Sequence, residues 1–260
     1  MDKTLIRHFS ILLLFNLGIL QSQPKEKYKI HDENRQQPEV VTHSSFSRMA
    51  TPPSDAIVLF DGTDLSEWVN SSGSKKTQWK LGDNYFEVRK KTGAIQTVQE
   101  FGDVQLHIEW SSPKNIEGEG QGRGNSGVFF MAKPNVSHGY EVQILDSYKN
   151  PVYPDGQASA IYGQYPPAYN ASAPPGEWQT YDIIFIRPRF DESGKLIRAA
   201  YLTVLHNGVL VHYNRELLGP TTHKVRTAYS NHPNRLPIAL QDHGNPVRYR
   251  NIWVRDLETH

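Results

Sequence analysis

The sequence predicts an all-β fold, an antiparallel sandwich, on three observations. From Ile57 onward, short stretches rich in β-branched and aromatic residues alternate with clusters of Gly, Pro, Asn and Asp, as strands joined by turns do. Several of these stretches alternate apolar and polar residues with the period of two that a half-buried strand requires. No segment of this region sustains a helical period. Strands without helices must bury their apolar faces against one another, and an antiparallel sandwich does so.

The chain starts with a basic stretch, Lys3 and Arg7, followed by a ten-residue apolar run from Ile11 to Leu20. This order of segments reads as a signal peptide over residues 1–22, and the run is too short to span a bilayer comfortably. Ser22 is the best candidate for the processing point. Export to a periplasmic or extracellular location is therefore expected, with no transmembrane helix in the mature chain. Residues 23–54 are polar, carry Pro24, Pro38, Pro52 and Pro53, and show no apolar face. That composition predicts a flexible arm that folding does not need. The domain proper is expected over residues 55–258.

Within it, Val104 to Trp110 (VQLHIEW) sets Val104, Leu106, Ile108 and Trp110 on one face and Gln105, His107 and Glu109 on the other. Ser126 to Met131 follows a glycine-rich loop. Tyr140 to Leu145 alternates again, with Glu141 and Gln143 opposite Val142 and Ile144. Tyr181 to Ile186 and Ala200 to Leu205 are further strands, separated by the turn Asp191 to Lys195. Asn207-Gly208 between apolar runs predicts a type I′ hairpin, in which both central residues need positive φ. Pro237 to Gln241 and Arg248 to Val254 complete the set.

Bulk composition narrows the function. The chain has 260 residues and a formal net charge of +1, so no strong field draws it to nucleic acid or to an anionic membrane. It has no cysteine, which removes disulfides, thiolate nucleophiles, Cys-ligated metals and a lipoprotein anchor. The polar faces of the strands carry Glu, Gln, His and Asn, with few Lys and Thr among them. Amides and carboxylates gathered with aromatics suit a sugar, supplying donors and acceptors to hydroxyls while rings cover the apolar pyranose face.

Six segments then line up in order: LFDGTDLSEWV (Leu59 to Val69), GNSGVFF (Gly124 to Phe130), YEVQILDS (Tyr140 to Ser147), AIYGQYPP (Ala160 to Pro167), GEWQTYDIIFIRPRF (Gly176 to Phe190) and LQDHGNPVRYRNIWVRDL (Leu240 to Leu257). The ordered set closely resembles the 3-keto-disaccharide hydrolase domain family over residues 55–258. That resemblance implies a concanavalin A-like jelly roll of two packed sheets with a sugar site on a concave face. It also implies cleavage of 3-keto-glycosides, sugars already oxidised at C3.

The segment Glu141 to Asp146 resembles the Glu-x-Asp-x-Glu strand motif of endo-glucanases of this broad fold in its bulged form. Gln143 and Asp146 replace the second and third acids. A one-residue bulge would return Asp146 to the face of Glu141 and Gln143, whereas a regular strand would not. A retaining glycosidase needs two carboxyls about 5–5.5 Å apart. A 3-keto sugar offers another route, because the ketone acidifies the C2 proton and an enolate can expel the C1 substituent. On this reading Glu141 or Asp146 is the acid or base, and His243 is the other proton-transfer group. Arg123 and Arg250 stabilise the enolate or grip hydroxyls; Gln143, Asn125, Gln241 and Glu109 orient the sugar; Trp178, Tyr162 and Tyr165 form an aromatic wall. His243, Asp242, Asp146 and Glu141 also offer mixed N/O donors to a borderline divalent ion, yet no fixed ligand spacing accompanies them. A non-catalytic carbohydrate-binding module and an ordinary glycoside hydrolase are the alternatives, since this fold hosts both.

Overall fold

The alternating strand Val104–Ser111 lies inside the larger of two antiparallel sheets, because its apolar residues Val104, Leu106, Ile108 and Trp110 all turn into one core. The structure, a computed structural model, describes residues 28–42, 51–72, 76–133 and 139–258. The expected signal peptide over 1–22 lies outside them. Among the described residues there is no α-helix, only short 3-10 turns at Gly120–Gly122 and Pro154–Gly156, and no helix long and apolar enough to cross a membrane.

In the larger sheet the strands run in the order Val209–Glu216, Tyr201–His206, Gln179–Ile186, Val104–Ser111, Arg248–Asp256, Phe86–Glu87 and Lys80–Leu81, and Ile57–Phe60 also pairs with Arg248–Asp256. The smaller sheet orders Trp68–Asn70, Ile95–Thr97, Ala239–Leu240, Ser126–Phe130 and Tyr140–Ile144. This is the antiparallel sandwich the strand pattern predicts and the jelly roll the family resemblance implies. The hairpin at Asn207-Gly208 also forms as expected, with φ of 51° and 77° at its two central residues, the signature of a type I′ turn.

Aromatic side chains join the sheets. Phe130 of the smaller sheet stacks on Phe185 of the larger at 4.7 Å between ring centres, and both are fully buried. Truncating either to alanine would cost about 3–5 kcal/mol through lost transfer energy and the cavity left behind. Two buried tyrosines of the larger sheet also reach across with their hydroxyls. Tyr181 donates to the Gln143 carbonyl at 2.8 Å, and Tyr249 donates to Ser126 Oγ at 2.6 Å. Ser126 Oγ in turn donates to the Gln241 carbonyl at 2.6 Å. Three backbone segments of the smaller sheet are thus pinned from behind, in a dry interior where leaving such groups unpaired is costly.

Two expectations are corrected here. The arm is not free over residues 28–42. Glu39–Val40 pairs in parallel with Tyr169–Asn170, Arg35 is buried, and Gln37 donates to the Val152 carbonyl at 3.2 Å. Composition missed this because the contacts are hydrogen bonds and a ring stack rather than an apolar face. The strand bulge is also absent. The ladder runs in unbroken register from Phe130↔Tyr140 to Ser126↔Ile144, and the strand stops before Asp146.

Candidate active site

The outer face of the smaller sheet forms the floor of a cleft of about 530 Å³. Tyr140, Val142 and Ile144 turn into the core, so period-two alternation turns Glu141 and Gln143 outward into the cleft. On the adjacent strand Phe129 stands opposite Glu141 and Gly127 opposite Gln143. A Cβ built on Gly127 would lie 2.5 Å from Glu141 Oε1 and 2.9 Å from the Phe129 ring. Glycine at this position lets the carboxylate lie across the neighbouring strand. The backbone holds Glu141 on both sides: its N–H donates to Thr221 Oγ1 at 3.1 Å, and its carbonyl accepts from the Tyr162 N–H at 3.3 Å.

Amides, phenols and two histidines furnish the rest. Gln121, Asn125, Gln143 and Gln241 line the cleft. Asn125 Nδ2 donates to the Gln121 carbonyl at 2.7 Å and to Gln121 Oε1 at 3.0 Å. In the orientation that satisfies its neighbours, the Gln143 amide nitrogen donates to Glu141 Oε1 at 3.0 Å and to the Ser126 carbonyl at 3.3 Å. Tyr153 and Tyr162 share a hydroxyl–hydroxyl bond of 3.0 Å. Burial pushes both phenols above their ordinary pKa, so they stay protonated and can donate to a ligand. His223 and His243 complete the lining with Thr221, Thr222 and Phe129.

Glu141 is the sole carboxylate among the lining residues, and no Lys or Arg stands with it there. Its side chain is 4% exposed. Burial without a compensating cation pushes its pKa up to about 8, since a low-dielectric surround disfavours the charged form. At pH 7 the group is held mainly as the carboxylic acid rather than the carboxylate. His243 moves the other way: partial burial lowers its pKa, against the opposing charge of Asp242, and its imidazole is neutral at pH 7. The cleft therefore holds a protonated acid and a neutral base, the separation that proton-transfer pairs show.

Of the residues expected in the site, Glu141, Gln143, Asn125, Gln241, Tyr162 and His243 meet in this cleft. The other six lie elsewhere. Asp146, past the end of a regular strand, pairs with Arg123 Nε at 2.6 Å and accepts from the Tyr148 N–H at 3.2 Å. Asp146 and Arg123 line a neighbouring cleft of about 430 Å³ instead. Tyr165 is buried in the core, with the Arg215 guanidinium 4.7 Å above its ring. Glu109, Arg250 and Trp178 belong to the outer face of the larger sheet. There Arg250 Nε meets Glu109 Oε2 at 2.7 Å, and the guanidinium sits 4.2 Å over the Trp178 ring.

The possible metal donors do not converge: Glu141 and His243 share the cleft, while Asp146 and Asp242 are engaged elsewhere. Asp242 Oδ2 accepts from the N–H groups of Thr92 and Gly93, both at 3.0 Å, and its Oδ1 accepts from Gly244 at 2.9 Å. It holds the turn that presents His243. Among the described residues no three of His, Asp or Glu converge into a group able to hold a metal ion.

Sequence reasoning missed Gln121, Phe129, Tyr153, Thr221, Thr222 and His223. All but Phe129 lie on loops or, for Gln121, a 3-10 turn, where no periodicity reports which way a side chain points. The one signal available was the polar run Thr221-Thr222-His223 directly after Pro220.

Comparisons with known proteins bear on the family and the fold. The family described as 3-keto-alpha-glucoside-1,2-lyase-like domain matches residues 55–255. A provisionally named glycosyl hydrolase from Parabacteroides distasonis, known as a crystal structure, is 43% identical, with 82% of this chain and 95% of that one covered and a TM-score of 0.74. A second protein of the same provisional name and organism is 19% identical, covering 78% of this chain and 94% of that one at a TM-score of 0.57; that likeness is one of fold. A comparison with functionally curated proteins found no match.

Proposed function

Because the chain belongs to the family of 3-keto-alpha-glucoside-1,2-lyase-like domains, we propose that it is an exported enzyme that cleaves the glycosidic bond of 3-keto-glycosides by elimination followed by hydration. What carries this reading is the single carboxylic acid of the cleft. An ordinary glycosidase, retaining or inverting, works with two carboxyls flanking the bond. The lining of this cleft supplies one, held neutral, beside the neutral imidazole of His243 and amides.

In the first half-reaction the neutral imidazole of His243 takes the proton from C2, which the C3 ketone has acidified. The C2–H electrons form an enolate, and the amide and phenol donors around the cleft stabilise its oxygen. The enolate then collapses to a C1–C2 double bond, the C1–O bond breaks, and Glu141 gives its proton to the departing oxygen. In the second half the Glu141 carboxylate takes a proton from water as that water adds to C1, and His243 returns a proton to C2. The sum is hydrolysis, and both groups end as they began. The export leader read in residues 1–22 would place this reaction outside the cytoplasm.

The test is turnover of a 3-keto-glucoside and of its unoxidised parent by the purified protein in deuterated water. The reading requires the ketone and predicts deuterium at C2 of the sugar product. Robust hydrolysis of the parent would establish an ordinary glycoside hydrolase instead. Binding of both sugars with turnover of neither would establish a lectin.

A further inference from the structure

The family match begins at residue 55, yet residues before it hold one wall of the cleft. His31 stacks flat on Tyr153 at 4.0 Å between ring centres and meets Tyr162 edge-on at 5.2 Å. Those two phenols line the cleft beside Glu141. The His31 N–H donates to Asp155 Oδ2 at 3.1 Å. Arg35 reaches the same oxygen at 4.0 Å and donates to the Gln164 carbonyl at 3.3 Å. Asp155 is fully buried and lies two residues from Tyr153. Ile30 comes to the edge of Gly163, where a Cβ would sit 3.4 Å from its Cγ2. The parallel pairing of Glu39–Val40 with Tyr169–Asn170 anchors the far end of the segment.

From this arrangement we infer that residues 28–42 form an accessory clamp, added to the family domain, that fixes the aromatic wall of the cleft, with His31 as a positioning residue for Tyr153 and Tyr162. The consequence for catalysis rests on the cleft being the active site proposed above. Docking costs little at Asp155, because the buried carboxylate gains a backbone donor and a guanidinium. Undocking takes both partners from the carboxylate at once. His31 itself adopts φ of 60°, a left-handed conformation that histidine, like Asn and Asp, adopts more readily than other non-glycine residues. The clamp holds it there so that its ring meets Tyr153.

Two variants of the full chain test this. His31→Gly removes the ring and relieves the backbone, and Arg35→Met removes the charge while keeping the apolar stem. Backbone hydrogen exchange is read across residues 151–165, with the central strand Val104–Ser111 as the control for global opening. Both variants are expected to speed exchange across 151–165 by about tenfold or more, as local opening does, and to leave the central strand unchanged. KM for a 3-keto-glucoside should rise by more than kcat falls. Wild-type exchange across 151–165 in both variants would overturn the clamp. So would faster exchange with KM and kcat both unchanged, which would show a docked segment that positions nothing. Absence of turnover by the wild type would sink the catalytic reading and leave the exchange comparison to decide the clamp.

Discussion

On the smaller sheet Glu141 points outward into a cleft lined by amides, phenols and imidazoles, with no guanidinium among them. On the larger sheet Glu109 also points outward and is as thoroughly buried, but it meets Arg250 at 2.7 Å and accepts from Asn251 Nδ2 at 3.0 Å. Beside it His107 Nδ1 lies 2.7 Å from Asp182 Oδ1, and the His107 ring stacks on Trp253 at 5.1 Å. The residue types match and the outcomes are opposite. Where charges of both signs meet, each satisfies the other and the result is a fastening. Where one carboxyl is buried without a cation, its proton becomes available for chemistry. Burial identifies neither case; the partner does.

The comparison breaks first under paired substitutions. Glu141→Gln should lower turnover of a 3-keto-glucoside by about 10²–10⁴, the usual worth of a positioned acid. Its melting temperature should be no lower than that of the wild type. The sign follows from linkage: the folded pKa of about 8 lies above the ordinary value of 4.5, so the wild type loses stability as pH rises between those values, and the amide variant does not. Glu109→Ala should do the reverse. It strands the half-buried Arg250 guanidinium and the Asn251 amide and should cost about 1–3 kcal/mol in urea unfolding, with turnover per folded molecule intact. Loss of activity without loss of stability at Glu109 would mean that the two faces have been assigned the wrong way round.

A smaller effect is expected at the link between the faces. Tyr181→Phe removes the hydroxyl that holds the Gln143 carbonyl and should cost about 0.5–1.5 kcal/mol, the net worth of such a bond. The Ser159 N–H still donates to that carbonyl at 2.8 Å, so kcat should change less than in Glu141→Gln. A loss of turnover as large as that of Glu141→Gln would make the pin part of the chemistry.

The smallest is a slope with pH. Burial alone would lower the pKa of His107, but the hydrogen bonds and charges of Asp182 and Glu109 outweigh it and raise the value to about 9. A base raised from 6.5 contributes stability that is complete below pH 6.5 and is lost as pH climbs through about 9. In Asp182→Asn the loss should set in at lower pH, followed by thermal melting from pH 6 to 10. Identical melting curves for the two proteins would show that this ion pair contributes nothing.

Much of the sandwich was legible because alternation reports it directly. Val104–Ser111, Ser126–Phe130 and Arg248–Asp256 fall within a residue or two of the runs read from the sequence. The same alternation placed Glu141 and Gln143 on one outer face. It could not say that the outer face of Glu109 belongs to the other sheet, because period two gives a face within a strand and not the layer the strand joins. Asp146 was misplaced for a related reason. The bulge that would have turned it toward Glu141 was carried over from a resembling motif, whereas the strand ends at Ile144 and Arg123 claims the carboxylate. Tyr153 and His31 were illegible because loops and hydrogen-bonded segments have no period to read.

The central claim is that Glu141 works as a neutral acid, and the pH dependence of kcat/KM on a 3-keto-glucoside tests it most directly. The account predicts a fall in kcat/KM as pH rises through about 8, when the free enzyme loses the proton of Glu141, and no such limb in the residual activity of Glu141→Gln. A rate that climbs through pH 8, or an alkaline limb unchanged in the glutamine variant, would contradict it.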